Sequence, residues 1–236
     1  MRSSADDRQP NGEVSSSPDW LAGVLRSAIL HGEFAPGQRL IEGELAEQLR
    51  ASRANVRAAL LTLTNEGLVE HSRYRGARVH NTSLAEAVEI AEVRLVLEVL
   101  VAGRAAERAT PDEIAGLRGL AHELEGAIAA ADLMSFAERT NRLQHRIALA
   151  SGQTAALQEL ARLYAQMARH EFRSLTVPGR AVASLRELAM LVEAIADHDR
   201  ARAEEASRDH FSHMIEAMTS AATARDGAPA RGVRIQ

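Results

Sequence analysis

The chain has 236 residues, enough for one large domain or two small ones. Hydrophobic residues make up 46%, charged residues 25% and aromatics only 3%, so a core must be built from aliphatic side chains and alanine, the strongest helix former. Cysteine is absent and the formal net charge is −4, which excludes disulfides and thiolate chemistry and requires any nucleic-acid contact to come from a local basic patch.

Residues 1–17 are rich in Ser, Asp, Arg and Gly and lack the apolar core of a signal peptide, so they read as a disordered tail. From Trp20 to Leu30, Leu21, Val24, Leu25, Ala28 and Ile29 recur at helical spacing. His31-Gly32 ends this helix, and Pro36-Gly37 makes a turn. Glu42 to Leu49 reads as a second short helix, and Ser52 is a good N-cap for a third, Arg53 to Gly67. Two short apolar runs, Leu68–His71 and Ala77–His80, flank a glycine-containing turn and predict a β-hairpin. Ser83-Leu-Ala-Glu86 is a capping box that opens a long amphipathic helix to about Ala109, and Thr110-Pro111 starts the next. Further breaks near Ala131-Asp132, Ser151-Gly152, Val177-Pro178-Gly179 and Asp197–Asp199 divide the remainder, giving about six helices from 84 to 221 in an antiparallel bundle. Residues 222–236, with Gly227, Pro229 and Gly232, read as a second disordered tail. No run of about 18 apolar residues occurs, so no transmembrane helix is expected, and the chain reads as a soluble cytoplasmic protein.

Residues 18–80 follow the order of a winged helix-turn-helix: two helices joined by a tight turn, then a hairpin. The second helix of such a pair enters the major groove N-terminus first. Here it begins Ser52-Arg53-Ala54-Asn55-Val56-Arg57, with Arg53 and Arg57 on one face. No lysine occurs in the chain, and residues 50–80 hold six arginines (50, 53, 57, 73, 75, 78) against Glu66 and Glu70, a local balance of +4. Arginine pairs bidentately with guanine or clamps phosphate. Arg50, Ser52, Arg53, Asn55 and Arg57 are therefore the candidate contacts from the helices. Arg73, Arg75 and Gly76 are those from the hairpin tip, where glycine lets the backbone approach a sugar-phosphate closely.

Three stretches carry a family resemblance: Val24 to Leu40, Glu44 to Leu60, and Leu63 to Val69. Together they resemble the DNA-binding domain of GntR-type bacterial regulators over residues 20–80. Arg53 and Arg57 match the family pattern. The chain departs from it at Ala54-Asn55, where the family has Thr-Pro, at Ala58, where it has Glu, and at Gly43, where some members carry a basic residue.

Val93-Arg94-Leu-Val-Leu-Glu98 and the alanine-rich helix after it resemble the opening of the FCD (FadR C-terminal domain) effector module, over about 84–220. That resemblance implies dimerisation, a small carboxylate effector met by an arginine, and a divalent metal (Zn, Mn or Ni) held by one Asp and three His. The carry-over is incomplete. The Asp position falls on Asn141, the first His on His145, the second on Leu188 and the last on His210. The expectation is thus an effector site of Arg94, Asn141, His145 and His210, with Glu98 as the partner of Arg94 when no effector is bound. Two of the four metal donors are lost, so any metal would be weakly held, or the pocket would be metal-free. His122, His170, His198 and His213 are read as surface or packing residues.

The sequence holds no nucleophile–base pair, phosphate loop or complete metal set, which argues against an enzyme. It points to a mainly α protein: a DNA-binding regulator acting as a homodimer on a palindromic double-stranded operator, tuned by a small carboxylate effector and making no membrane contact. A DNA-binding dimer whose helical domain has lost its ligand is the alternative.

Overall fold

The computed structural model describes residues 17–30, 32–72 and 76–226. The chain divides between Asn81 and Thr82 into two compact units. The first contains α1 (Pro18–Leu30), β1 (Arg39–Leu40), α2 (Glu42–Gln48), α3 (Arg53–Asn65), β2 (Val69–Ser72) and β3 (Gly76–Val79). The second contains α4 (Leu84–Arg108), α5 (Pro111–Ala129), α6 (Leu133–Ala150), α7 (Thr154–Leu175), α8 (Arg180–Ala196) and α9 (Arg200–Asp226).

In the first unit the helical period sorts the side chains. Leu21, Ala22 and Leu25 of α1 pack with Val56, Ala59, Leu60 and Leu63 of α3, all nearly or fully buried. Arg26 crosses from α1 to the end of α3 and donates Nε to Glu66 at 2.8 Å. The expected hairpin is the larger part of a three-stranded antiparallel sheet in the order β1-β3-β2. The extra strand, β1, pairs Arg39 with Arg78 and Leu40 with Ala77. Two residues are too short to show a period-2 pattern, so the sequence carried no sign of this strand.

The second unit is the expected bundle of six helices. The predicted capping box of Ser83 with Glu86 forms, and Thr110, expected as a cap before Pro111, makes a second capping box with Glu113. Asp132 caps α6, accepting from the Ser135 N–H at 3.0 Å. The main core joins Leu117 and Leu124 of α5, Phe136, Leu143 and Ile147 of α6, and Leu188, Leu191 and Ile195 of α8. Gly103 lets α4 and α9 approach closely, because a Cβ there would collide with the Glu204 side chain. Helix α9 runs on to Asp226, beyond the expected end at residue 221. The alanines and polar residues that read as tail are good helix formers and extend it.

Candidate nucleic-acid interface and helical-domain site

Ser52 ends the turn before α3 with extended backbone, and its Oγ accepts the Asn55 N–H at 3.1 Å. This fixes where the helix begins and places Arg53 in its first turn. Arg50, in the turn, adopts a left-handed φ of 51°. The Arg53 guanidinium lies over Gly43 of α2: a Cβ there would sit 3.3 Å from Nη2 and 3.6 Å from Cζ. The absent side chain at Gly43 is thus the space the Arg53 head group uses. Arg57, exposed one turn further along, donates Nε and Nη2 to Glu42 of α2 at 3.0 and 2.8 Å. That hydrogen bond raises the pKa of Arg57 further. Across the sheet, Arg78 donates to Glu70 at 2.8 and 2.6 Å.

Arg50, Ser52 and Arg53 are exposed, Asn55 is half-buried, and Gly76 is exposed with φ 74°. Arg73 and Arg75 lie outside the described residues. From outside the 50–80 window Glu42 pairs with Arg57 and Arg26 pairs with Glu66, while Glu70, inside it, pairs with Arg78; the added acid and the added cation offset each other.

In the helical unit Arg94 is 1% exposed, far from the weak surface pair that its i, i+4 spacing with Glu98 allowed. It donates Nε to Glu98 at 3.1 Å, Nη1 to Glu171 at 2.5 Å and Nη2 to Gln144 at 2.5 Å. Its guanidinium carbon stands 4.9 Å from the Phe211 ring centre and 5.3 Å from that of Tyr164. Burial alone would lower the Arg94 pKa, but the carboxylates of Glu171 and Glu98 outweigh it and raise it. Burial raises the pKa of Glu98, against the pull of Arg94.

A second polar cluster lies between α8 and α9. Arg180 grips Glu187 through both terminal nitrogens, at 2.8 and 2.7 Å. Nδ1 of His210 and of His213 each lie 2.9 Å from the same carboxylate. Burial pushes the Glu187 pKa up, but hydrogen bonds from His210 and Arg180 hold it down at about 2. Burial lowers the pKa of His210 despite Glu187, so it is neutral at pH 7. Neutral His210 donates Nδ1–H to Glu187 and keeps a lone pair on Nε2. A cavity of about 10 Å³ adjoins this cluster, lined by Thr140, Glu171, Ser174, Arg180, Ser184 and His210 with apolar neighbours. Among the described residues, Thr140 Oγ1, Gln144 Nε2 and Arg180 Nε are buried polar atoms without a hydrogen-bond partner.

Of the expected effector residues, Arg94 and His210 are in the interior, Asn141 is half-buried and His145 is exposed. The inward positions on α6 are Thr140 and Gln144, one residue earlier. One residue is about 100° of helix rotation, enough to turn a side chain from core to solvent. Leu188 is fully buried in the apolar core. The described residues therefore do not fit a metal ion: no group of three or more His, Cys, Asp or Glu among them is placed to hold one. Gln144, Glu171, Arg180 and Glu187 were not apparent as site residues from the sequence, and His213, expected at the surface, is exposed there while its Nδ1 meets Glu187. A signal existed for α8, where Arg180, Ser184 and Glu187 recur at i, i+4, i+7 on what proves to be a buried face.

The profile of the bacterial regulatory proteins of the gntR family matches residues 21–79, and that of the FCD domain matches residues 89–213. The HTH-type transcriptional repressor RspR of Escherichia coli K12 is 26% identical over 195 residues, covering 83% of this chain and 86% of the repressor. The galactonate operon transcriptional repressor of the same organism is 29% identical over 211 residues, covering 80% and 91%. Among solved structures, E. coli McbR/YncC superposes with a TM-score of 0.76 at 22% identity over 86% of this chain and 97% of that one. That last likeness is one of fold. These relatives are regulators rather than enzymes, and no described helix is long and apolar enough to cross a membrane. With its arginine-bearing recognition helix and its six-helix second unit, the chain belongs to the GntR family and is a DNA-binding transcriptional regulator with an FCD domain.

Proposed function

We propose that this regulator binds a two-fold symmetric operator as a homodimer and that a small carboxylate effector in the helical unit sets its DNA affinity. The observation that carries the effector reading is the polar cavity beside Thr140, Arg180 and His210. Buried donors without acceptors cost free energy, and an anion in the cavity would accept from Thr140 Oγ1 and Arg180 Nε. Arg94, already held by Glu171, Glu98 and Gln144, would then act from behind Glu171 rather than as the first contact. A space of about 10 Å³ holds roughly one water, so an organic acid enters only if the helices around it part. That requirement links binding to a change in the bundle and supplies the differential affinity that regulation needs.

The effector reading runs without a resident metal, since the inward donors are Thr140 and Gln144 and the core side chain at 188 is leucine. Elemental analysis of the purified protein is expected to find substoichiometric zinc, manganese or nickel. One metal per chain surviving chelator dialysis would sink this part. For the effector, a thermal-shift screen of small mono- and dicarboxylates is expected to find an acid that raises Tm and changes operator affinity in a gel shift. Arg180→Ala should abolish both responses. No response to any acid would favour a helical unit that has lost its ligand, a reading to which the internally paired Arg94 lends weight.

A further inference from the structure

Very little chain joins the two units. His80 donates its N–H to the Leu68 carbonyl of the first unit at 2.9 Å. Ser83 opens α4, its Oγ accepting the Glu86 N–H at 3.2 Å. Asn81 and Thr82 alone lie between His80 and Ser83, and the division of the chain falls between these two. Thr82 is held. Its hydroxyl donates to the Gln166 carbonyl at 3.0 Å, and its own carbonyl accepts from Nε2 of His170 at 2.9 Å. A carbonyl only accepts, so His170 carries a proton on Nε2. Both partners belong to α7, 84 and 88 residues further along the chain. This clasp is not needed to start α4, because Ser83 and Glu86 already cap that helix. His170, expected as a surface or packing residue, is half-buried in it.

The same stretch of α7 also faces the interior of the bundle. Met167 packs with Ala87 and Ala91 of α4 and with Phe211 of α9. Glu171 takes Nη1 of Arg94 at 2.5 Å. Glu171, Ser174 and Leu175 line the cavity beside Arg180 and His210. His170 and Ser174 are four residues apart, about 6 Å along the helix axis. Over so short a span an α-helix shifts as one rigid piece. A shift of about 1 Å takes a hydrogen bond of 2.9 Å beyond the range in which it holds.

We propose that α7 is a lever between the polar interior of the bundle and the connection to the DNA-reading unit: a shift of its Glu171–Ser174 face carries Gln166 and His170 with it and tightens or releases Thr82. For what moves the lever in the working protein, the inference rests on the effector reading above. Release doubles the unheld connection, from Asn81 alone to Asn81 and Thr82. The clasp is thus a two-state element that both the cavity and the DNA-reading unit bias, which is what coupling between two sites requires.

The test uses the full-length protein and a DNA duplex that it selects from a random-sequence pool. Hydrogen–deuterium exchange is read on peptides covering residues 80–88. Thr82→Val and His170→Ala each remove one donor and should speed exchange there by about fivefold, the equivalent of one hydrogen bond. Glu171→Gln alters the Arg94 site and neither partner of Thr82. It should nonetheless speed exchange at 80–88 and change affinity for the selected duplex by about fivefold. With Thr82→Val and His170→Ala both present, Glu171→Gln should no longer change that affinity. A purely structural tie would instead let the effects add. Ser174→Val, which adds bulk on the cavity side of α7, is the second probe, and circular dichroism checks that each variant keeps its helices. Exchange at 80–88 that both probes leave at the wild-type rate overturns the lever. So does a duplex affinity that they change by the same factor whether the clasp is intact or cut. No acid enters these measurements, so a carboxylate screen without a hit sinks the effector reading and not the lever.

Discussion

At the residue scale, Arg53 and Arg57 stand on the same face of α3 but are held by different means. Arg53 rests on the bare backbone of Gly43, whereas Arg57 is fixed by the Glu42 carboxylate. Either arginine, if it meets a guanine, contributes discrimination at one base position. Arg53→Ala or Arg57→Ala is expected to weaken operator binding by about 5- to 150-fold in a gel-shift titration. Unchanged affinity for both variants would remove them from the interface. His210 yields a second prediction. Its pKa is lowered in the folded state, so its neutral form contributes stability that is fully present above the unfolded value near 6.5 and is lost as pH falls below it. Thermal melts from pH 8 to pH 5 should show a falling Tm, and His210→Gln should flatten that slope. The slope of Glu187 lies lower, between its ordinary range and about 2, and does not confuse the comparison. Both arginines of the recognition helix were legible in the sequence, because a helix start and a basic i, i+4 pair are local features. Their partners were not: Glu42 is fifteen residues from Arg57, and nothing in linear order couples them.

At the scale of elements, the caps and breaks were readable because each is a short chemical signal. Ser52, Ser83, Thr110 and Asp132 all accept the backbone N–H three residues on. Ser52→Ala is expected to cost about 1 kcal/mol in urea unfolding. Glycine at the same place should cost only a few tenths, a difference that separates capping from mere exposure. The rotation of α6 was harder. A family pattern assigned Asn141 and His145 to the interior, yet Thr140 and Gln144 point there. Phe136, Leu143 and Ile147 fix the phase, and they leave room at 140 and 144 rather than one step later. Apolar periodicity was the better guide to facing, because burying aliphatic area outweighs placing one histidine. Arg94 ties α4 to α6 and α7 through Gln144 and Glu171. Arg94→Met should destabilise the helical unit by about 3–5 kcal/mol, since it leaves Glu98 and Glu171 buried without a cation. Denaturant titration followed on the helical signal would measure it. A loss under 1 kcal/mol would overturn the reading that Glu98 and Glu171 depend on the Arg94 cation.

At the scale of the whole molecule, the division at Asn81–Thr82 separates a small reader of DNA from a larger bundle. The two halves differ in sequence texture: short segments with turns up to about residue 80, then long helices with capping boxes. That change of texture is why the architecture could be read without coordinates. The interior of the bundle could not, since three buried acids and two buried arginines look like surface residues until their helices are packed. A homodimer with two recognition helices should protect a near-palindromic site in a footprint, and a single asymmetric half-site would contradict it. Its affinity should fall steeply as salt rises, because arginine–phosphate contacts release counterions.

The Glu42–Arg57 pair bears on how such a protein finds its site. A regulator spends most of its time on irrelevant DNA, which it holds only through phosphates. Glu42 holds the Arg57 cation at 2.8 Å, so a DNA phosphate has to compete with that carboxylate for it. The expected consequence is a looser grip on random sequence than on an operator that offers a better-placed acceptor, and a wider ratio between the two. Glu42→Gln should bind a scrambled duplex more tightly and steepen its salt dependence by about one counterion per protomer. The mutant would dwell longer on the wrong DNA and arrive later at the right one.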